Sequence, residues 1–168
     1  SIKRFYSYQR ERFPLIILVL SLLPAILSSG AVVSLKLTIF HILVSLIFSI
    51  AYLFHIRVID EHRDYSHDTK HHIDRPVQTG LMSNQELKKV DLFAVVIILI
   101  IGFVSGIYST ILSILILFYS YLAGKEFFLD EKIRKHFFIY NAINFVQMLF
   151  LQIFIYSIFA GQFLFNHL

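Results

Sequence analysis

The chain has 168 residues, of which 57% are hydrophobic and only 15% charged, with 18 Phe and no Trp. Soluble domains carry about 45–50% apolar and about 25% charged residues, and a chain this short cannot hide the excess in one core; lipid must solvate much of it. Cysteine is absent, which excludes disulfides, thiolate metal sites and Cys nucleophiles, and the net charge of +4 in so apolar a chain reports membrane topology rather than a nucleic-acid partner.

A span needs roughly 20 apolar residues to cross about 30 Å of hydrocarbon. Five such runs predict an all-α fold, a multi-pass transmembrane helix bundle that forms one domain over residues 1–168. The first, Phe13–Ser28, follows Lys3, Arg4, Arg10 and Arg12. No small-residue cleavage pattern comes after it, so it reads as a retained span, with Pro24 as a kink. The second runs from Ser34 through Asp64, its apolar stretch bracketed by Lys36 and Arg57. The third begins near Asn84, where Ser83 and Glu86 form a capping-box pattern, and continues to Phe103. Gly and Ser in the stretch Ser105-Gly106-Ile107-Tyr108-Ser109 favour a break there. A fourth span covers Thr110–Phe127 and a fifth Glu131–Gln162, with Asp130 as its N-cap. Lys36 apart, the basic residues cluster before the first span, in the loop after the second and at the turn after the fourth, and every acidic residue shares that side. The positive-inside rule then makes the N-terminus and both charged loops cytoplasmic.

The chemistry concentrates in residues 57–83. Asp60, Asp64 and Asp68 recur every four residues, which stacks them on one helical face. Stacked carboxylates repel unless a cation intervenes, and hard oxygen ligands suit Mg²⁺, which takes one or two carboxylates together with substrate phosphates. Upstream, Thr38, His41, Ser45, Ser49 and Tyr52 continue the stripe, as expected of polar groups that face a bundle interior or cavity. A charged loop at a membrane surface is also commonly no more than a solvated connector, whose carboxylates pair with nearby Arg and Lys. His62, His67, His71 and His72 raise zinc, but their spacing gives no closed ligand set and they read as interface residues. Asn141, Asn144 and Gln152 roughly share a face of the last span, where hydrogen-bonding between helices is the simpler role and an acceptor site the other.

Taken together these motifs resemble the UbiA superfamily of intramembrane prenyltransferases. Asp60-Glu61-x-x-Asp64-x-x-x-Asp68 has the spacing of that family's first Asp-rich motif, with Arg57 three residues ahead. Arg75-Pro76-x-x-Thr79-Gly80-x-x-Ser83 resembles the stretch that leads into the third helix. Arg10-Glu11-Arg12-Phe13-Pro14 is similar to the start of the first helix, and Tyr119-Ser120-Tyr121 with Lys125 to the end of the fourth. The resemblance implies Mg²⁺-dependent transfer of a prenyl group from an allylic polyprenyl diphosphate to a hydrophobic acceptor, often an aromatic ring of the quinone-precursor type. It implies Asp60, Asp64 and Asp68 as metal ligands, with Arg57, Lys125, Arg12 and Arg75 on the diphosphate. Tyr121 is the candidate catalytic side chain, its ring face near the developing allylic cation.

Family members have about nine helices and a second Asp-rich motif after the sixth. The chain is therefore expected to be the N-terminal part of a longer enzyme, completed by a C-terminal half. Two other readings stand beside this one. A CDP-alcohol phosphotransferase also uses intramembrane Asp at four-residue spacing, but with Asp-Gly and Ala-Arg context that Asp60 lacks. The other is non-enzymatic: a divalent-cation transporter, which would bind at midplane through broken helices and pass cations without binding a prenyl diphosphate, or a degenerate half-bundle without transferase activity.

Overall fold

The computed structural model describes residues 2–33, 38–128 and 136–165. Its regular elements are helical: α1 (Ile2–Arg12), α2 (Leu15–Val33), α3 (Ile39–Arg63), α4 (Tyr65–His71), α5 (Asn84–Val104), α6 (Ile107–Gly124), a one-turn 3₁₀ segment (Glu126–Phe128) and α7 (Phe137–Phe165). The α2 helix, α3, α6 and the Phe138–Ala160 part of α7 are each long and apolar enough to cross a membrane. The molecule is thus a multi-pass helix bundle. The remaining expected span, α5, is 21 residues long, about 31 Å, but Glu86, Lys88, Lys89 and Asp91 occupy its first turns.

Local chemistry sets the boundaries. Pro14 separates α1 from α2, because the residue before a proline is disfavoured in the helical region. The first span therefore starts at Leu15, and it runs through Pro24 to Val33, beyond the expected Ser28. Thr38 caps α3 by accepting from the His41 amide, whereas Ser34 and Lys36 lie outside the described residues. The expected capping box is present: the Ser83 hydroxyl accepts from the Glu86 amide at 3.2 Å, and the Glu86 carboxylate accepts from the Ser83 amide at 2.9 Å. The fourth span is shifted from Thr110–Phe127 to Ile107–Gly124, because Gly106 (φ 109°) starts the helix and three residues with positive φ follow its end. The last helix is described from Phe137, and the expected cap Asp130 and start Glu131 lie outside the described residues.

The central helix is α3, which packs against α2, α5, α6 and α7. Its inner face is the polar stripe together with Phe48, Phe54 and Val58; His41, Ser45, Ser49 and Tyr52 are all buried. Phe48 stacks on Phe154 of α7 with ring centroids 3.5 Å apart. Because α5 turns directly into α6 at Ser105-Gly106, the two form a tight antiparallel hairpin. Gly102 admits the approach: a Cβ there would lie 2.8 Å from the Ser113 Cβ. Small polar contacts bind the helices elsewhere, with Ser109 and Ser157 hydroxyls 3.0 Å apart and Gln152 Nε2 donating to Ser29 Oγ at 2.5 Å, as in lipid-embedded bundles. Outward positions such as Ile16, Val32, Phe103 and Phe138 remain more than 70% exposed, an apolar belt that only lipid or a partner would cover.

These directions bring α1, the end of α3, α4, the start of α5, the end of α6 and the start of α7 to one end. Arg4 fastens α1 there, bonding Glu86 at 2.7 Å and donating to the Leu81 carbonyl at 2.8 Å.

Candidate functional site at the charged end of the bundle

At the end of α3 the chain bends at Asp64, yet helical hydrogen bonding continues across the bend. Asp64 N donates to Asp60 O at 2.9 Å and Asp68 N to Asp64 O at 2.8 Å. Asp60, Asp64 and Asp68 therefore stay in one four-residue progression, as the spacing predicts. Each meets a guanidinium: Asp60 lies 2.8 Å and Asp64 3.1 Å from Arg63, and Asp68 is bonded to Arg75. They do not share one cavity. Asp64, Asp68 and Arg75 line a cavity of about 390 Å³ with Arg63, His67, His72, Glu126 and Tyr140. Asp60 instead lines an open cleft of about 650 Å³ against Asn141, Asn144 and Gln147 of α7. Gln147, not Gln152, completes that polar face, since Gln152 is engaged by Ser29.

Arg63 is the organising residue of this end, and the sequence reading passed it over. Its side chain is only 8% exposed. Besides Asp60 and Asp64 it donates to the Tyr140 hydroxyl at 2.8 Å, lies 5.3 Å over the Tyr140 ring and approaches Glu126 to 4.0 Å. Glu126 reaches it through an unusual backbone: Glu126, Phe127 and Phe128 all hold positive φ, at 46°, 52° and 60°. Left-handed L-residues cost about 1–2 kcal/mol each, and strain of this kind is typical of functional segments.

A second cationic layer lies behind the first. Glu61 is buried and accepts from Arg12 at 2.9 Å and Arg57 at 2.7 Å on the same oxygen, Oε1. Oε2 has no hydrogen-bond partner among the described residues. Arg12 and Arg57, two of the four residues expected on the diphosphate, are thus engaged by a carboxylate of the acidic motif itself. Tyr8 of α1 packs into this layer; burial first, then the Glu61 charge, pushes its phenol up to about 12, so it stays neutral.

Tyr121 and Lys125 both line a separate cleft of about 440 Å³. Its polar lining includes His62, Arg63, Lys88 and Lys125, and its apolar lining Ile59, Val95 and Leu117. His62 Nδ1 lies 2.7 Å from the Val58 carbonyl, so Nδ1 carries the proton there. Within the same cleft His55 and Asp91 pair at 2.8 Å across α3 and α5, a contact no local spacing announces. Arg63 lines both this cleft and the Asp64–Asp68 cavity, so one guanidinium forms their common wall.

The cavity offers the carboxylate oxygens of Asp64 and Asp68 within reach of cationic side chains, which fits Mg²⁺ arriving with a phosphate, and beside them the imidazoles of His67 and His72. Asp60 fits less directly, being on the far side of Arg63. For Asp68 burial raises the carboxyl, but the Arg75 hydrogen bond and charge outweigh it and hold the group below the ordinary carboxylate value. It is ionised and competent as a ligand at neutral pH. No protein-family model matches the chain, and neither a curated protein nor a solved structure is similar to it.

Proposed function

We propose that the chain binds an allylic polyprenyl diphosphate at its charged end and belongs to an Mg²⁺-dependent prenyltransferase that passes the prenyl group to a hydrophobic, aromatic acceptor. The observation that carries this reading is Arg63, which lines both a carboxylate cavity and a cleft that combines cationic and apolar side chains. A diphosphate bound across that wall meets both requirements of its chemistry, a metal on one side and guanidinium and ammonium groups on the other.

In this reading Asp64 and Asp68 would hold Mg²⁺, with Asp60 supporting them through Arg63. Mg²⁺ held there would supply the positive charge that offsets the charge growing on the diphosphate as its allylic C–O bond breaks. Lys125, Lys88 and Arg63 face the cleft and stabilise the same charge. Arg12 and Arg57 act from behind, fixed by Glu61. The first isoprene unit lies against Ile59, Val95 and Leu117, where the Tyr121 ring flanks the carbon that becomes electron-poor. The bond electrons leave with the diphosphate, the acceptor carbon supplies the new pair, and the acceptor loses its proton. The N-terminus and the 57–83 loop face the cytoplasm in this reading.

The test is Asp64→Asn in the full chain. Mg²⁺-dependent binding of a polyprenyl diphosphate should disappear while membrane insertion is retained. Undiminished binding would overturn the site assignment.

A further inference from the structure

The α4 helix brings two imidazoles onto Asp68. His67 precedes it, and His72 follows the last turn, its amide donating to the Asp68 carbonyl at 2.8 Å. One ligand atom from each of His67, Asp68 and His72 lies within 4.8 Å of the others. The His67 and His72 ring centroids are 5.9 Å apart, and all three residues line the 390 Å³ cavity. The two carboxylate oxygens of Asp68 are divided in use. Oδ2 is bonded by Arg75, whereas Oδ1 faces His67 Nδ1 at 3.6 Å.

We propose that His67, Asp68 and His72 form a site for a borderline divalent transition metal such as Zn²⁺, distinct in ligand chemistry from the oxygen-only Mg²⁺ position. Two neutral imidazoles and one carboxylate suit Zn²⁺ and disfavour Mg²⁺, which prefers oxygen donors. Tetrahedral ligands at about 2.0–2.1 Å from zinc stand roughly 3.3 Å apart. Closing the cluster to that spacing needs side-chain adjustments of up to about 1.5 Å, for which His67, with a side chain 63% exposed, has the room. Asp68 contributes Oδ1. Arg75 stays on Oδ2 and orients the carboxylate, as outer partners of metal-binding carboxylates do. The fourth position opens on the cavity. Because Asp68 serves both ions, zinc occupancy withdraws it from Mg²⁺ and suppresses diphosphate binding. The zinc site itself stands on the cluster geometry and does not depend on the prenyl-transfer reading.

Metal alone tests it. The full chain in detergent is titrated with Zn²⁺ by calorimetry and with Co²⁺ by visible absorption. One ion per chain is expected, with an absorption spectrum of low-coordinate cobalt. His67→Ala and His72→Ala should each weaken binding about tenfold or more, the scale of even outer-partner losses. Asp60→Asn, which faces the other cleft, should leave zinc binding intact. Absence of saturable binding, or affinity unchanged in the His67→Ala/His72→Ala double variant, would overturn the proposal. Zinc binding that persists where no prenyl diphosphate binds would refute the transferase reading and leave the metal site standing.

Discussion

Glu61→Gln tests the most deeply buried charge at the functional end. Glu61 is 1% exposed at its side chain and holds Arg12 (18% exposed) and Arg57 (27% exposed) on one oxygen. Glutamine keeps the shape and one acceptor oxygen but removes the charge, leaving two guanidiniums facing a neutral amide. Breaking a buried ion pair by removing one partner costs about 3–5 kcal/mol. Water reaches both arginines in part, which places the loss near the lower end, about 3 kcal/mol. For a chain of this length that corresponds to a fall of about 6–12 °C in melting temperature. The assay is thermal unfolding in detergent at a fixed scan rate, followed by helicity. Adding Arg12→Gln to the Glu61→Gln background should recover part of the loss, because it removes one uncompensated charge; an isolated packing defect would give no recovery. Diphosphate binding should weaken in parallel as Arg57 loses its anchor. A variant that melts within about 2 °C of the parent would refute the idea that Glu61 organises this layer.

Two further predictions concern the loop and the hairpin. Asp68 is held below the ordinary carboxylate value by Arg75 against the opposing effect of burial, so its contribution to stability is present above the unfolded value near 3.9 and is lost as pH falls through the lower folded value. Hydrogen exchange of residues 64–79 should therefore stay slow down to about pH 4 and accelerate below it. In Arg75→Gln burial is opposed only by His67 and His72, whose effects are smaller than that of Arg75, and the acceleration should begin at higher pH; an unchanged profile would show that Arg75 does not set the Asp68 charge. At the α5–α6 hairpin, Gly102→Ala forces a methyl against Ser113 and should destabilise the bundle by about 1–3 kcal/mol in the same melting assay. Ser113→Gly in that background should restore most of the loss, and failure to do so would place the strain elsewhere.

The parts of this molecule that were legible in its sequence are those decided by neighbours along the chain. The capping box of Ser83 and Glu86, the break at Ser105-Gly106 and the buried stripe His41–Ser45–Ser49–Tyr52 all depend on residues within one or two turns. The α1 helix escaped because it is charged and short, and it is organised by distant partners: Arg4 by Glu86, Arg12 by Glu61, and Tyr8 by burial. Spacing likewise found the stripe of Asp60, Asp64 and Asp68 but could not show which way each member opens. Adjacent helical positions point about 100° apart, so Glu61 turns to the core and the arginines while Asp60 turns to α7. Arg63 illustrates the limit most plainly. One aspartate on each side of it along the chain suggests a local ion pair of little value. Its burial comes from Tyr140, 77 residues away in the chain, and from a left-handed turn that delivers Glu126. Those contacts convert a surface arginine into the wall between two cavities. A linear motif can name the charges of such a site, but only the packing of α6 and α7 on α3 decides which of them share a ligand.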